Sequence, residues 1–507
     1  MGSGSENQRQ QRQVATIADV AKSSLLCKQG YINGKWVDAQ DKATFPVKHP
    51  ATEECITEIA ALGPNETQKA IEAAVHAQKE WKKTSPLTRS QLLKKWYQLV
   101  VDNIDEIALL TTAEAGKPLA ESKGEAVYAA GFIDFFAHEC MHSGGFVVPA
   151  NSATDRMIAV TEPVGVCAII TPWNFPLAMI TRKLAPCLAA GCSAVLRPAC
   201  ETPLSALALV KLAEQAGFPK GVINIIISPH EHSSDVGKAL ATNEQIRKLS
   251  FTGSTRVGRL LMEQSSVNVK RISLELGGNA PFIVFEDADL DAAVKGLLGI
   301  KFKNDGQVCI TSNRVFVHSS IFETFKKQFV KEVKNLKMGS PFSEDTNLGP
   351  LINTKSYKKV SELVQDALDK GAEAVTGGKG ADSTTYGHNF YEPTVLVNVK
   401  DSMRVWSEEI FGPVVPLIPF DNEQQVLEIA NDTISGLAGY FFTRDLARAW
   451  RVAGALECGM IGVNSGDIST AQAPFGGVKQ SGVGREGSFM GIQEYLETKL
   501  IAMGGLA

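Results

Sequence analysis

Hydrophobic and polar positions give this chain two textures. Between Glu66 and Lys82, and again between Thr88 and Ala115, apolar residues recur at three-to-four spacing behind charged faces, which predicts helices. Helical character continues through Glu121–His142. From Met157 onward the texture changes to short apolar runs separated by helical segments. The runs at Val164–Ile170, Ala194–Leu196, Val222–Ile227 and Lys248–Thr252 predict strands, and Leu177–Ala190, Ser205–Ala216 and Ser234–Ala241 predict helices between them. A second series starts near Ala280: strand Phe282–Phe285, helix Leu290–Lys303, strand Val315–Val317 and helix Ile321–Leu336. Further elements are expected at Lys355–Lys370 and Met460–Asn464. Ahead of all these, Gly30–Asp38 places an Asn-Gly turn between aromatic-rich flanks, a hairpin signal.

This alternation argues for an α/β protein whose parallel sheets are covered on both faces. Such sheets commonly bind nucleotides at the carboxyl ends of their strands. No internal repeat or low-complexity linker interrupts the chain, so its two halves are expected to pack closely. Its 507 residues suggest three domains, or two large ones. Hydrophobic content of 44% with 21% charged residues is ordinary for a globular protein that needs no disulfides. A net charge of −4 without a basic block excludes nucleic acid as an expected partner. Nine irregularly spaced cysteines do not form a disulfide framework and suit a reducing compartment. The cytoplasm is expected, with the mitochondrion as the alternative. No apolar run reaches the ~18 residues of a membrane helix, so no membrane association is expected. The segment before Ile17 lacks the apolar core of a signal peptide, and Glu6 stands where myristoylation requires Ser or Thr. Residues 1–27 are read as a flexible tail.

Candidate chemistry centres on Lys301–Arg314, KFKNDGQVCITSNR, where Cys309 follows a Gly-containing loop and precedes a strand. A thiol held where a loop meets regular structure is a candidate nucleophile, because its thiolate attacks carbonyl carbon. Burial as a small apolar residue is the commoner fate of a lone cysteine. No G-x-G-x-x-G occurs. Instead Phe251–Gly258 (FTGSTRVG) follows a strand and opens a helix, with Gly253 and Gly258 allowing close approach and the helix N-terminus offering amides to a pyrophosphate; a structural turn reads equally well. In Leu274–Asn279 (LELGGN), a carboxylate between leucines is poorly placed for solvent, and partial burial would raise Glu275 toward the range of a general base. In Thr171–Pro176 (TPWNFP), Asn174 either donates to a developing oxyanion or caps the helix that follows. His138–His142 (HECMH) matches the H-E-x-x-H zinc pattern. It is read as coincidence, because Gly144-Gly145 end the helix at once and no third histidine follows at the required spacing.

PWNFP, FTGST, LELGG, the G-Q-x-C around Cys309 and Glu408–Pro413 (EEIFGP) together resemble the NAD(P)-dependent aldehyde dehydrogenase superfamily, in that family's order, from about Gly30 to the C-terminus. The resemblance implies that Cys309 attacks an aldehyde, that Asn174 and the Cys309 amide hold the oxyanion, and that Glu275 activates the hydrolytic water. It places Thr171, Pro172, Trp173, Lys183, Gly253, Ser254, Gly258, Glu409 and Phe411 at the cofactor. Arg197-Pro198-Ala199-Cys200 stands where NAD-preferring members have Lys-x-x-Glu. Cys200 cannot accept the ribose hydroxyls as a carboxylate would, and Arg197 can attract a 2′-phosphate, so the cofactor is NAD or NADP.

Within the superfamily the chain is most similar to succinate-semialdehyde dehydrogenases. That likeness implies a substrate-carboxylate site at Arg182, Lys303 and Ser469, with Lys303 replacing the usual arginine and so losing its bidentate fork. Thr311 replaces a second cysteine, so no redox pairing with Cys309 is expected. Asp467 at the mouth would disfavour an anion if it points inward. Another semialdehyde, an uncharged aldehyde or an inactive structural relative are the alternatives. The implied architecture is a cofactor domain (28–145 and 164–276), a catalytic domain (277–488) and a β arm (146–163 and 489–507) that joins chains into a homodimer or homotetramer.

Overall fold

The computed structural model describes residues 16–506. Of the tail expected over residues 1–27, residues 1–15 lie outside the described residues. Residues 16–27 are not a tail. They include helix Ile17–Val20, bury Val20 and Leu25, and join the body where Ser23 Oγ donates to Glu106 (2.6 Å).

Two parallel-centred sheets carry the molecule. The first runs in the order Lys35–Val37, Gly30–Ile32, Ile223–Ile225, Ala194–Arg197, Cys167–Ile170, Lys248–Thr252, Arg271–Glu275, Gly482–Val483. Its middle strands, from Ile223–Ile225 to Arg271–Glu275, are parallel and buried almost throughout. From Cys167–Ile170 the chain adds Ala194–Arg197 and Ile223–Ile225 in sequence on one side before it crosses to Lys248–Thr252 on the other. The strand order therefore reverses between these two, and a crevice opens at their carboxyl ends, where ligands bind in sheets of this kind. The expected hairpin is present, with Asn33 and Gly34 both at positive φ (51° and 74°), as a two-residue turn matched to strand twist requires.

The second sheet runs Glu373–Thr376, Thr394–Val397, Val414–Phe420, Ser312–His318, Ala280–Val284, Ala438–Phe442, Met460–Val463. All its neighbours are parallel except the first pair. The chain first crosses between the sheets through Glu275–Ala280, so Glu275 and Gly277-Gly278 lie at the junction. Gly482–Val483, expected in the catalytic part, returns to the first sheet and pairs with Leu274 and Glu275.

The expected helix over Thr88–Ala115 is two helices, Pro86–Asp102 and Ile104–Ala115. Asn103 breaks it at φ −117°, ψ 19°, with Nδ2 donating to the Leu99 carbonyl (2.7 Å). The helix expected to reach His142 spans Leu119–Glu139. Near the expected arm, Phe146–Val148, Arg156–Pro163 and Leu496–Met503 form a separate antiparallel sheet. Among the described residues, no helix is long and apolar enough to cross a membrane.

Candidate active site

Cys309 follows a tightly wound turn. Helix Leu290–Lys301 ends in Phe302, and then Asn304 (φ 48°), Asp305 (φ 57°) and Gly306 (φ 74°) adopt left-handed backbone in succession. Asn, Asp and Gly are the residues that tolerate this conformation best. Gln307 pins the turn, its Oε1 accepting the Ile352 amide (3.0 Å). Gly278 makes the close approach beneath: a Cβ there would collide with the Cys309 carbonyl oxygen, while its amide donates to Glu409 Oε1 (3.1 Å). The cysteine thus sits in the wall between two hollows. One is a cavity of about 610 Å³, the other a cleft of about 240 Å³, and Cys309 lines both.

Electrostatically the resting site is held neutral. Burial pushes the Cys309 thiol up to about 12, Arg182 opposing and Glu409 and Glu275 adding to the rise. The thiol is therefore protonated at neutral pH and needs a base. Glu275, at the end of Arg271–Glu275, is 3% exposed, and its Oε2 has no hydrogen-bond partner among the described residues. Burial and then Glu486 hold it well above the usual carboxylate range, against Arg182 and Lys183. It is buried and its charge acts on Cys309; once deprotonated, a carboxylate with so raised a proton affinity suits a base. Asn174 Nδ2 donates to the Gln307 carbonyl (3.0 Å), which leaves its second hydrogen for a ligand in the cleft it shares with Cys309.

The cleft is the crevice at the first sheet's reversal point. Of the residues expected at the cofactor, Pro172, Trp173, Gly253, Ser254, Glu409 and Phe411 line it, together with Asn174 and Lys359. Trp173 and Phe411 stand at 90° with centroids 5.6 Å apart. Phe411 holds φ 58°, a strained backbone for a bulky residue and typical of functional walls. Ser254 caps helix Thr255–Ser265, its Oγ accepting the Val257 amide (3.4 Å), so the helix's free amides face the cleft. A flat apolar gap beside a helix N-terminus fits a dinucleotide's nicotinamide and pyrophosphate.

Five expected cofactor residues lie outside this lining. Gly258 is a packing glycine, since a Cβ there would meet Leu276. Lys183 is fully buried, bonded to Ser250 Oγ (3.2 Å) and ion-paired with Glu486. Thr171 is buried, its hydroxyl without a hydrogen-bond partner among the described residues. Arg197 and Cys200 lie at the next strand's end. There Arg197 Nε donates to Ser228 Oγ (3.1 Å) and Nη2 to Ser233 Oγ, while Cys200 Sγ meets Glu201 Oε2 at 3.3 Å.

Arg182, Lys303 and Ser469 all line the larger cavity, with Tyr128, Phe175, Tyr440, Asp467 and Phe475. Arg182 is not a free cation. Its Nε is paired with Glu486, its guanidinium lies over Phe475 (3.9 Å), and Nη2 reaches Met179 Sδ (3.1 Å). Nη1 alone makes no hydrogen bond among the described residues. Lys303 is exposed and makes no ion pair among the described residues, and Ser469 Oγ bonds Tyr128. Glu486, which pairs Arg182 and Lys183 at once, carries no signal in sequence: its partners are some three hundred positions away. The His138–His142 motif does not assemble, because the helix stops at Glu139 and both rings are exposed. No cluster of three or more potential metal ligands occurs among the described residues.

Comparison with known proteins agrees with this geometry. The chain is 48% identical to the glutarate-semialdehyde dehydrogenase of Pseudomonas putida, over 95% of this chain and 98% of that protein. It is 48% identical to the succinate-semialdehyde dehydrogenase [NADP(+)] GabD of Escherichia coli, over 95% and 99%. The crystal structure of succinate-semialdehyde dehydrogenase from Burkholderia pseudomallei superimposes with a TM-score of 0.93 at 51% identity, covering 95% of this chain and 98% of that one. The model of the aldehyde dehydrogenase family matches residues 36–501, and the chain belongs to that family.

Proposed function

We propose that this enzyme oxidises succinate semialdehyde to succinate, with Cys309 as nucleophile. The observation that carries the reading is the shared wall: one thiol faces both the aldehyde-sized cavity and the nucleotide cleft. Glu275 takes the thiol proton, directly or through water, and Sγ bonds the aldehyde carbon to give a thiohemiacetal. The Asn174 amide and the Cys309 backbone N–H hold its oxyanion. When bound, the nicotinamide cofactor supplies the hydride acceptor that converts this adduct to a thioester. Glu275 gives its first proton up to solvent, deprotonates the water that attacks the thioester carbon, and returns that proton to the sulfur of Cys309 as the C–S bond breaks, which releases the acid and restores the thiol.

The substrate carboxylate is held by Lys303, Ser469 and the free Nη1 of Arg182. Glutarate semialdehyde is the second reading. A volume of about 610 Å³ lies in the ~300–1,000 Å³ range of pockets for drug-sized ligands, roomier than four carbons need, and a lysine stem adjusts to chain length. Arg197 with Ser228 and Ser233 forms a donor set suited to a 2′-phosphate, which favours use of NADP. We further propose homo-oligomerisation through the small sheet and a reducing compartment such as the cytoplasm, consistent with nine free cysteines.

The test is initial-rate kinetics with succinate semialdehyde, glutarate semialdehyde and an uncharged aldehyde of similar length, each with NAD and NADP. A kcat/KM preference for the acidic aldehydes that disappears in Lys303→Ala is expected. Equal rates with the uncharged aldehyde would overturn the carboxylate site and leave the Cys309 chemistry standing.

A further inference from the structure

Helix Leu119–Glu139 presents Glu121 and Glu125 one turn apart, on one face. Glu121 Oε2 accepts the Asn304 amide (2.7 Å), at the start of the left-handed turn that delivers Cys309. Glu125 Oε1 accepts the Leu177 and Ala178 amides (2.8 and 3.3 Å), capping the helix behind Asn174. Its other oxygen is paired with Lys117, whose side chain is fully buried. Lys117 Nζ in turn donates to the Asn174 carbonyl (2.9 Å) and lies over the Phe175 ring (3.8 Å). The same carbonyl accepts Asn304 Nδ2 (3.1 Å), closing a circuit between the two loops.

The site described above needs none of these charges for its chemistry, yet burying them is costly unless each is paired. They meet the segments that carry the oxyanion donor and the nucleophile through backbone groups and the Phe175 ring. We propose that Glu121, Glu125 and Lys117 are positioning residues that set the separation of the Asn174 amide from Cys309. The proposal rests on those two residues acting as the reading above assigns. The helix acts as a ruler: two carboxylates at fixed rise grip two loops, and the lysine transmits the second grip to Asn174 itself. Its next turn brings Tyr128 to the substrate cavity, so one helix face aligns nucleophile, oxyanion site and substrate wall.

The experiment compares Glu121→Ala, Glu121→Gln and Lys117→Met, the last also in an Asn174→Ala background, with Cys309→Ala as control. Glu121→Ala is expected to lower kcat on the order of 10–100-fold, the scale of a misplaced reacting group, with the KM for NAD(P) and the melting temperature little changed. Glu121→Gln keeps an acceptor for the Asn304 amide and is expected to recover most of that loss. Lys117→Met is expected to lower kcat about tenfold alone but less than about twofold once Asn174 is gone, because it acts through Asn174. Equal losses in the Ala and Gln variants, unchanged kcat in Glu121→Ala, or additive losses for Lys117 and Asn174 would overturn the proposal. If Lys117→Met does not fold, the Glu121 pair decides alone. Turnover in Cys309→Ala would instead overturn the parent reading.

Discussion

At the scale of single residues, the account turns on one protonated thiol and the groups that relieve it. Asn174→Ala removes a donor aimed at the oxyanion and is expected to lower kcat by about 10²–10³-fold, or ~2.7–4 kcal/mol, measured by steady-state NAD(P)H formation. The pH dependence has a definite sign. Cys309 and Glu275 both sit above their ordinary values, so thiolate and free carboxylate both become more abundant as pH rises. The kcat/KM profile should therefore climb from pH 6 toward pH 9, and Glu275→Gln should lower the rate while removing its own contribution to the rise; a profile falling with pH would contradict the assignment. These residues were legible in sequence because each stands beside a backbone signal: Asn174 between two prolines, Glu275 before Gly-Gly, Cys309 after a Gly-containing turn. Glu486, Lys117 and Glu125 stand in ordinary helical or loop sequence. Their meaning arises only from partners folded against them, which no local pattern records.

Elements tell the same story one level up. Fully buried parallel strands appear as short apolar runs, and Lys248–Thr252 was readable to the residue for that reason. Thr88–Ala115 misled because apolar spacing continues across Asn103, and a break made by one side chain folding back on its own helix does not disturb the period. The hairpin Thr44–Lys48 with Cys55–Ala60 is hidden in sequence because Pro46 speaks against strand, yet it fits a two-stranded edge, while Pro50 lies in the turn between the strands. The crossing between the sheets makes the sharpest prediction at this scale. Gly278→Ala should leave the protein folded by circular dichroism but displace Cys309 against its carbonyl oxygen, lowering kcat on the order of 10²-fold; wild-type kcat in that variant would refute the close approach as a requirement.

For the molecule as a whole, two sheets meet so that the reversal point of one faces the nucleophile carried by the other. The small antiparallel sheet stands apart from this junction. On one of its faces Val147, Ile158 and Ile501 align across three strands, and Val147 is 75% exposed. Such a stripe is expected to be covered by a second copy of the chain. Ile501→Lys should then shift the mass found by sedimentation toward a monomer, whereas an unchanged mass would place the contact elsewhere. The central claim is that Cys309 carries the acyl group between the two hollows. It is tested most directly by rapid mixing of Glu275→Gln with succinate semialdehyde and NAD(P), followed by acid quench and peptide mass analysis. The account predicts NAD(P)H formation limited to about one per active site, reached more slowly than in the wild type because the Cys309 thiol has lost its base, with slower turnover thereafter and a succinyl thioester on the peptide containing Cys309. That NAD(P)H yield with no acyl group on that peptide, or unimpaired steady turnover, would contradict it.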